Sequence, residues 1–183
     1  MLPVHGFPPI ADRDARVLVL GSMPGAASLR ARQYYAHPHN AFWPIVGSLC
    51  GAVPDLPYAA RCAQLRLHGI ALWDVLTRCV RPGSLDADID PATIVTNDFA
   101  AFFARHPRIE AVFCNGGTAF ACYRRHVLPV LRDAARALAV VRLPSTSPAH
   151  AGMRLLDKRR RWLRALRPFV AAAVAARAGH GGT

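Results

Sequence analysis

Two asparagines, a glycine–proline turn and a run of small hydroxyl residues carry the chemistry this sequence offers. Asn40 lies in Y-Y-A-H-P-H-N-A-F-W, residues 34–43. Its structural role is to cap the helical run that follows; its chemical role is to hold a water or a polar ligand edge without being a base. Asn115 ends an apolar run and precedes Gly116 and Gly117. It can cap there too, or pair with a nucleobase edge, because an amide presents an acceptor and donors side by side. Ser22 and Met23 sit in G-S-M-P-G, residues 21–25, where glycine lets backbone N–H groups approach a ligand. Ser145, Thr146 and Ser147, between Pro144 and Pro148, form a short rigid stretch of donors suited to DNA phosphates, or a plain connection; His150 follows them. Pro38 holds His37 extended, and Tyr34 and Tyr35 offer flat faces on which a base can stack.

Other chemistries have no residues to carry them. No Ser/His/Asp triad is legible, no cysteine has a basic setting, and the eight histidines show no metal-ligand spacing. The one tight carboxylate cluster, Asp86/Asp88/Asp90, reads as a solvated turn, with a metal role as the alternative. G-S-M-P-G is not G-x-G-x-x-G, and no phosphate-binding G-x-x-x-x-G-K-[ST] occurs. No nucleotide cofactor and no metal are indicated. The five cysteines, Cys50, Cys62, Cys79, Cys114 and Cys122, are odd in number and contain no C-x-x-C. That argues against a disulfide framework and a compact iron–sulfur site.

The formal net charge is +12 over 183 residues. A polyanion is the direct physical partner for such a surface, because Lys/Arg contacts with phosphates release counterions. The competing source is an Ala- and Arg-rich composition as such. Much of the charge lies near the C-terminus, in Arg154, Lys158, Arg159, Arg160, Arg161, Arg164 and Arg167, with Asp157 as the acidic exception. Leu155, Trp162, Leu163, Leu166 and Phe169 recur there at helical spacing and are expected to face inward. The N-terminus has no basic-then-apolar leader pattern, and no apolar run reaches membrane-spanning length, so a cytoplasmic location is the expectation.

The elements that position these residues follow from apolar periodicity. Strands are expected at about 16–21, 69–76, 109–114 and 138–143, each a continuous apolar run bounded by polar or turn residues. Helices are expected over 41–50, 56–68, 97–106, 118–131 (helical until Pro129) and 152–176, with one helical turn around Leu29–Arg32. Strands alternating with helices imply an α/β fold: three layers, α/β/α, with a central four-stranded parallel sheet. Right-handed crossovers then place the strand ends, and with them the motifs, on one edge. One domain is expected over residues 1–183, with an extended arm at 1–15, a long loop at 24–36 and a flexible tail at 177–183.

The three strand-end motifs together resemble the uracil-DNA glycosylase superfamily over about Val17 to Trp162. The nearest likeness is to its hypoxanthine-DNA glycosylase branch, with the mismatch-specific uracil/thymine glycosylases next. Y-A-H-P-H-N-A-F-W is similar to the F-A-H-P-x-N-x-F-W segment of the mismatch-specific enzymes. L-P-S-T-S-P-A-H stands where relatives carry H-P-S-P-L or N-P-S-G-L. The departures are informative. Met23 occupies the place of a water-handling Asn or Asp, Ser145 that of a His, and Ala149 that of the Leu that wedges into DNA.

The resemblance implies a monofunctional DNA glycosylase without cofactor, metal or iron–sulfur cluster, acting as a monomer on DNA that contains a deaminated base. It implies Asn40 in catalysis. Ser22, Met23, Tyr35 and Asn115 would lie around the flipped base, with Tyr35 as the stacking ring and Asn115 as the selector. Ser145, Thr146, Ser147, His150 and Arg154 would face DNA. Loss of a base leaves an oxocarbenium-like sugar, so such an enzyme needs charge stabilisation and a placed water more than a strong base. The motifs do not separate hypoxanthine from uracil. A catalytically silent DNA-binding relative and a nucleotide-binding α/β enzyme remain as alternatives.

Overall fold

The computed structural model describes residues 2–180. Its strands are β1 (Val4–His5), β2 (Val17–Gly21), β3 (Ile70–Asp74), β4 (Leu76–Cys79), β5 (Val95–Thr96), β6 (Ala111–Asn115) and β7 (Ala139–Leu143). Its α-helices are α1 (Ala26–Ala31), α2 (Phe42–Cys50), α3 (Tyr58–Leu67), α4 (Phe99–Arg105), α5 (Gly117–Cys122), α6 (Asp133–Ala137) and α7 (Leu155–His180). The four long strands form a parallel sheet in the order β3-β2-β6-β7. This is the expected α/β architecture. All side chains of β2 and β3 are buried, as a parallel strand covered on both faces requires.

The chain passes from β2 to β3 on one side, then returns to β6 on the other. This reversal opens a crevice at the C-terminal end of β2, where ligands bind in open α/β sheets. Gly21 pairs in register with Asp74 at that edge, and Leu20 with Cys114, which puts Asn115 level with Gly21. Asp74, Gly21 and Asn115 therefore form one row across three strands.

Several expectations are corrected. The continuation of β3 does not end at Leu76. The chain turns at Val75 into β4, which joins β1 and β5 in a small antiparallel sheet. Residues from the expected arm contribute β1, and Ile10 is buried against β3, bridging Leu72. The strand β7 is not apolar throughout in its setting. It is an edge, and only Leu143 of it is buried. The helical run expected over 118–131 as far as Pro129 is α only in α5; it continues as a π-turn at Tyr123–Val127 and ends, as expected, at Pro129 in a 3-10 turn at Leu128–Val130, since proline cannot donate to the helical ladder. The last helix starts later than expected and runs on to His180; residues 181–183 of the expected tail lie outside the described residues.

Helix α7 closes the site from outside the sheet. Trp162, Leu166 and Val170 are buried. The Trp162 ring meets Phe42 of α2 edge-on at 6.0 Å, and its indole N–H donates to the Pro144 carbonyl at 2.9 Å. That bond ties the helix to the first residue after β7. Leu155, expected inward, is 54% exposed.

Candidate active site

Two asparagines distant in sequence are joined through one threonine. Asn115 Nδ2 donates to Thr146 Oγ1 at 2.8 Å, and the Thr146 N–H donates to Asn115 Oδ1 at 2.9 Å. The Thr146 carbonyl then accepts from the Ala41 N–H at 3.0 Å, next to Asn40. Thr146 is thus fully buried, bonded on both sides, and does not face DNA as expected. It positions the other two residues. Gly116 makes this possible: its φ is +102°, and a Cβ there would stand 3.0 Å from the Ser145 Cβ. Any other residue at 116 would push the 145–150 loop away from β6.

The cap position of α2 is Ala41, not Asn40 as expected, and Asn40 holds the turn just before it. Its Oδ1 accepts from the Phe42 N–H at 3.0 Å, at the start of α2. It is half-buried and borders a groove of about 350 Å³ with Pro38, Ser147, His150, Met153 and Leu155. Ser145 and Ser147 are half-buried, each hydroxyl accepting from a backbone N–H two residues on, at 3.2 and 3.3 Å. His150 and Arg154 are exposed; His150 lines this groove, and Arg154 lies beside it, next to Gly152 and Met153. Lys158 is not on the outer face of α7. It turns inward, and its ammonium donates to the His150 carbonyl at 2.6 Å; burial lowers its pKa. It staples the loop to the helix.

Below this rim lies a polar cluster at the ends of β2, β3 and β6. Ser22 is buried, and its hydroxyl donates to Asp86 Oδ2 at 2.7 Å. Arg81 is buried, donates to the Pro24 carbonyl at 2.6 Å and faces Asp86 at 3.8 Å. The Arg81–Asp90 loop therefore straps the G-S-M-P-G turn in place. Asp86 is half-buried rather than fully solvated as the sequence suggested. Burial pushes its pKa up, against the Ser22 hydrogen bond and the Arg81 charge; Asp88 and Asp90 are exposed. Met23 is buried toward Gly6 and belongs to the core, so its side chain is no base contact. Tyr34 is also structural: its ring is buried, its hydroxyl donates to the Phe7 and Pro8 carbonyls, and its carbonyl accepts from the Trp43 indole.

Tyr35 does sit among the expected residues. Its ring stacks on Phe42 at 4.1 Å, and the backbone takes the left-handed conformation at φ 54°. A non-glycine residue there is uncommon and held by its surroundings. The hydroxyl is buried and faces the Asn115 side-chain amide. Burial and the nearby Asp74 raise its pKa, with the Asn115 amide opposing.

Asp74 escaped the sequence analysis. It is 3% exposed, its Oδ2 makes no hydrogen bond, and its pKa is pushed up to about 8 by burial, with Asp86 adding and Arg81 opposing. The available signal was an acidic residue closing an otherwise apolar strand, I-A-L-W-D, level with the first glycine of G-S-M-P-G. The cysteines are all free and buried, and burial pushes Cys114 up to about 12, which rules out a ready thiolate. Among the described residues, no group of three or more His, Cys, Asp or Glu is arranged so as to hold a metal ion. No described helix is long and apolar enough to cross a membrane.

A family model described as the uracil DNA glycosylase superfamily matches residues 8–168. The chain belongs to that superfamily. The match spans every strand of the parallel sheet and every residue of the site above. A hypoxanthine DNA glycosylase of Methanosarcina barkeri is 38% identical over 113 residues, covering 61% of this chain and 70% of that one. A protein of the same description from Methanosarcina acetivorans is 36% identical over the same length, with the same coverage. The solution NMR structure of a candidate uracil DNA glycosylase from Methanosarcina acetivorans is similar to this glycosylase with a TM-score of 0.75. The two are 31% identical, and the match covers 92% of this chain and 99% of the other.

Proposed function

We propose that this glycosylase flips a deaminated base out of DNA and hydrolyses its N-glycosidic bond, with hypoxanthine preferred, as a monofunctional monomer of the cytoplasm. The observation that supports the reading is the Asn115–Thr146–Ala41 hydrogen-bond chain, which ties the segment carrying Asn40 to the end of β6. The two Methanosarcina relatives support the choice of base.

The roles follow from the geometry. A flipped base entering at the C-terminal end of β2 meets the Tyr35 ring, backed by Phe42. The Asn40 amide at the groove orients the attacking water. Its Oδ1 already holds the Phe42 N–H, which fixes the amide and leaves its N–H groups and one lone pair for water. The reaction develops negative charge on the departing base and positive charge on the sugar, so a placed water and polar donors lower the barrier without a strong base. Ser22 and Met23 contribute backbone groups at the turn, and Asn115 keeps one N–H beyond its two bonds to Thr146. Ser145, Ser147, His150 and Arg154 line the rim toward the DNA backbone, with the +12 charge behind them.

Strand-cleavage assays test this directly. Oligonucleotides with one deoxyinosine, one deoxyuridine or neither are incubated with enzyme and treated with alkali. Cleavage at deoxyinosine above deoxyuridine is expected. Asn40→Ala should abolish cleavage, at least a 100-fold loss by removing the placed water, while DNA affinity changes little. Cleavage mainly at deoxyuridine makes the protein a uracil enzyme, and DNA binding without cleavage of either refutes excision.

A further inference from the structure

We infer that His37, as a neutral imidazole, is a positioning residue for Asn40: its ring nitrogen holds the turn that presents the Asn40 amide, and protonation of the ring releases that turn. The inference rests on the excision reading and extends it to a residue that touches neither base nor water.

The segment before α2 is fixed by local bonds. The His37 carbonyl accepts from the Asn40 N–H at 2.9 Å, which closes a turn over His37, Pro38, His39 and Asn40. Proline suits the second place of such a turn, because its fixed φ is the one required there. On its far side Asn40 is tied by its Oδ1 to the Phe42 N–H at 3.0 Å, and the Ala41 N–H donates to the Thr146 carbonyl at 3.0 Å. On its near side one side chain acts: His37 Nδ1 accepts from the His39 N–H at 3.1 Å. A side-chain acceptor bonded to the N–H two residues on is a device that fixes turns. This site uses it repeatedly, from Asn40 to Phe42, from Ser145 to Ser147 and from Ser147 to Ala149. Those acceptors are amide and hydroxyl oxygens, which keep their lone pairs at every working pH. His37 is the member of the set that titrates.

An imidazole accepts through Nδ1 only while that nitrogen carries no proton; the imidazolium is a donor at both nitrogens. Imidazoles change charge within the range in which DNA repair assays are run, between about pH 5 and 8. The His37 ring is open to solvent, so a proton reaches it freely. Protonation sets two N–H groups against each other at His39 and leaves Asn40 tied on its far side alone. The titratable groups around the turn are His39 on the same segment, with its ring 5.6 Å from that of His37, and His150 and Lys158 from the loop after β7 and from α7. The last two line one groove with Pro38, His39 and Asn40. None of these groups is a carboxylate that could hold a protonated ring in place.

The test uses the full-length protein and single-turnover excision of deoxyinosine at saturating enzyme, from about pH 7.5 down to about pH 5. Each variant is read as its ratio to wild type, so that the acid chemistry of the substrate cancels. His37→Asn supplies an oxygen acceptor that does not titrate. It should lie within about twofold of wild type at the upper pH and pull ahead by about three- to tenfold at the lower, the worth of one hydrogen bond. His37→Phe keeps a ring without an acceptor. It should be about three- to tenfold slow at the upper pH and converge on wild type at the lower, where wild type has lost the same bond. A ratio that stays flat with pH in either variant overturns the inference. So does an effect confined to DNA affinity, which would make His37 a DNA contact. Solvent exchange of the His39 and Asn40 N–H groups, measured by NMR on the free protein, needs no excision. Their protection should fall on acidification in wild type, persist in His37→Asn and be low throughout in His37→Phe; equal protection in all three overturns the inference. Failure of wild type to release any base from deoxyinosine or deoxyuridine refutes excision itself, a distinct outcome, and the exchange result then decides whether His37 holds the turn.

Discussion

Replacing Asp74 by Asn should stabilise the protein, and by an amount that grows with pH. The carboxyl titrates at 3.8 in an ordinary setting and at about 8 in the fold. Below pH 4 it is protonated in both states, so the acid and the amide should be equally tolerated. Between pH 4 and 8 the unfolded chain ionises and the folded one does not, and wild type loses stability relative to the variant throughout that window. Above pH 8 both states are ionised and the difference is constant. The shift is about four units, and at about 1.36 kcal/mol per unit the plateau is roughly 5 kcal/mol. At pH 6, where the window is half crossed, the difference should be about 3 kcal/mol. Urea unfolding of both proteins at pH 4.5, 6, 7.5 and 9 measures it, with midpoint and slope fitted separately. A difference that is flat across pH, or an Asn variant that becomes less stable as pH rises, would refute the claim that Asp74 is buried without a compensating partner.

Thr146→Val removes the acceptor of the Asn115 amide while keeping its volume. It should cost about 1–3 kcal/mol, the penalty for a buried unpaired donor, and lower excision with it, read by unfolding and by single-turnover cleavage on the same preparation. Lys158→Met keeps the buried stem and deletes the bond to His150. Excision should fall several-fold as the 145–150 loop loosens, with little change in overall stability; a full-rate variant would show that the loop needs no staple. DNA affinity should fall with salt on a log–log slope of about −0.9 for each phosphate contacted, and Arg154→Ala should make that slope shallower by about one unit.

Some of this protein was written in local pattern. Val17–Leu20 and Ala111–Cys114 are apolar at every position, a composition that only a strand covered on both faces satisfies, and each ends in the glycine or asparagine that marks the site. Asn40 before Phe42 and Trp43, and the +12 charge, were equally legible, because caps and net charge are properties of neighbouring residues or of the sum. Other features depended on residues meeting from afar. Thr146 reads as one more loop hydroxyl until the packing of β6 beside β7 brings it to Asn115, 31 residues away. Lys158 sits in a basic run, and only the course of the 145–150 loop turns it inward. Asp86 looks solvated among Asp88 and Asp90 until the strap closes over Ser22, 64 residues off. Asp74 is the clearest case. Its burial comes from the register of β2 against β3, and the lack of a side chain at Gly21 leaves the room its Oδ1 takes. A sequence sets which groups exist and what they prefer locally; desolvation and partnership are set by neighbours in space, and these decided which of its polar residues became the site.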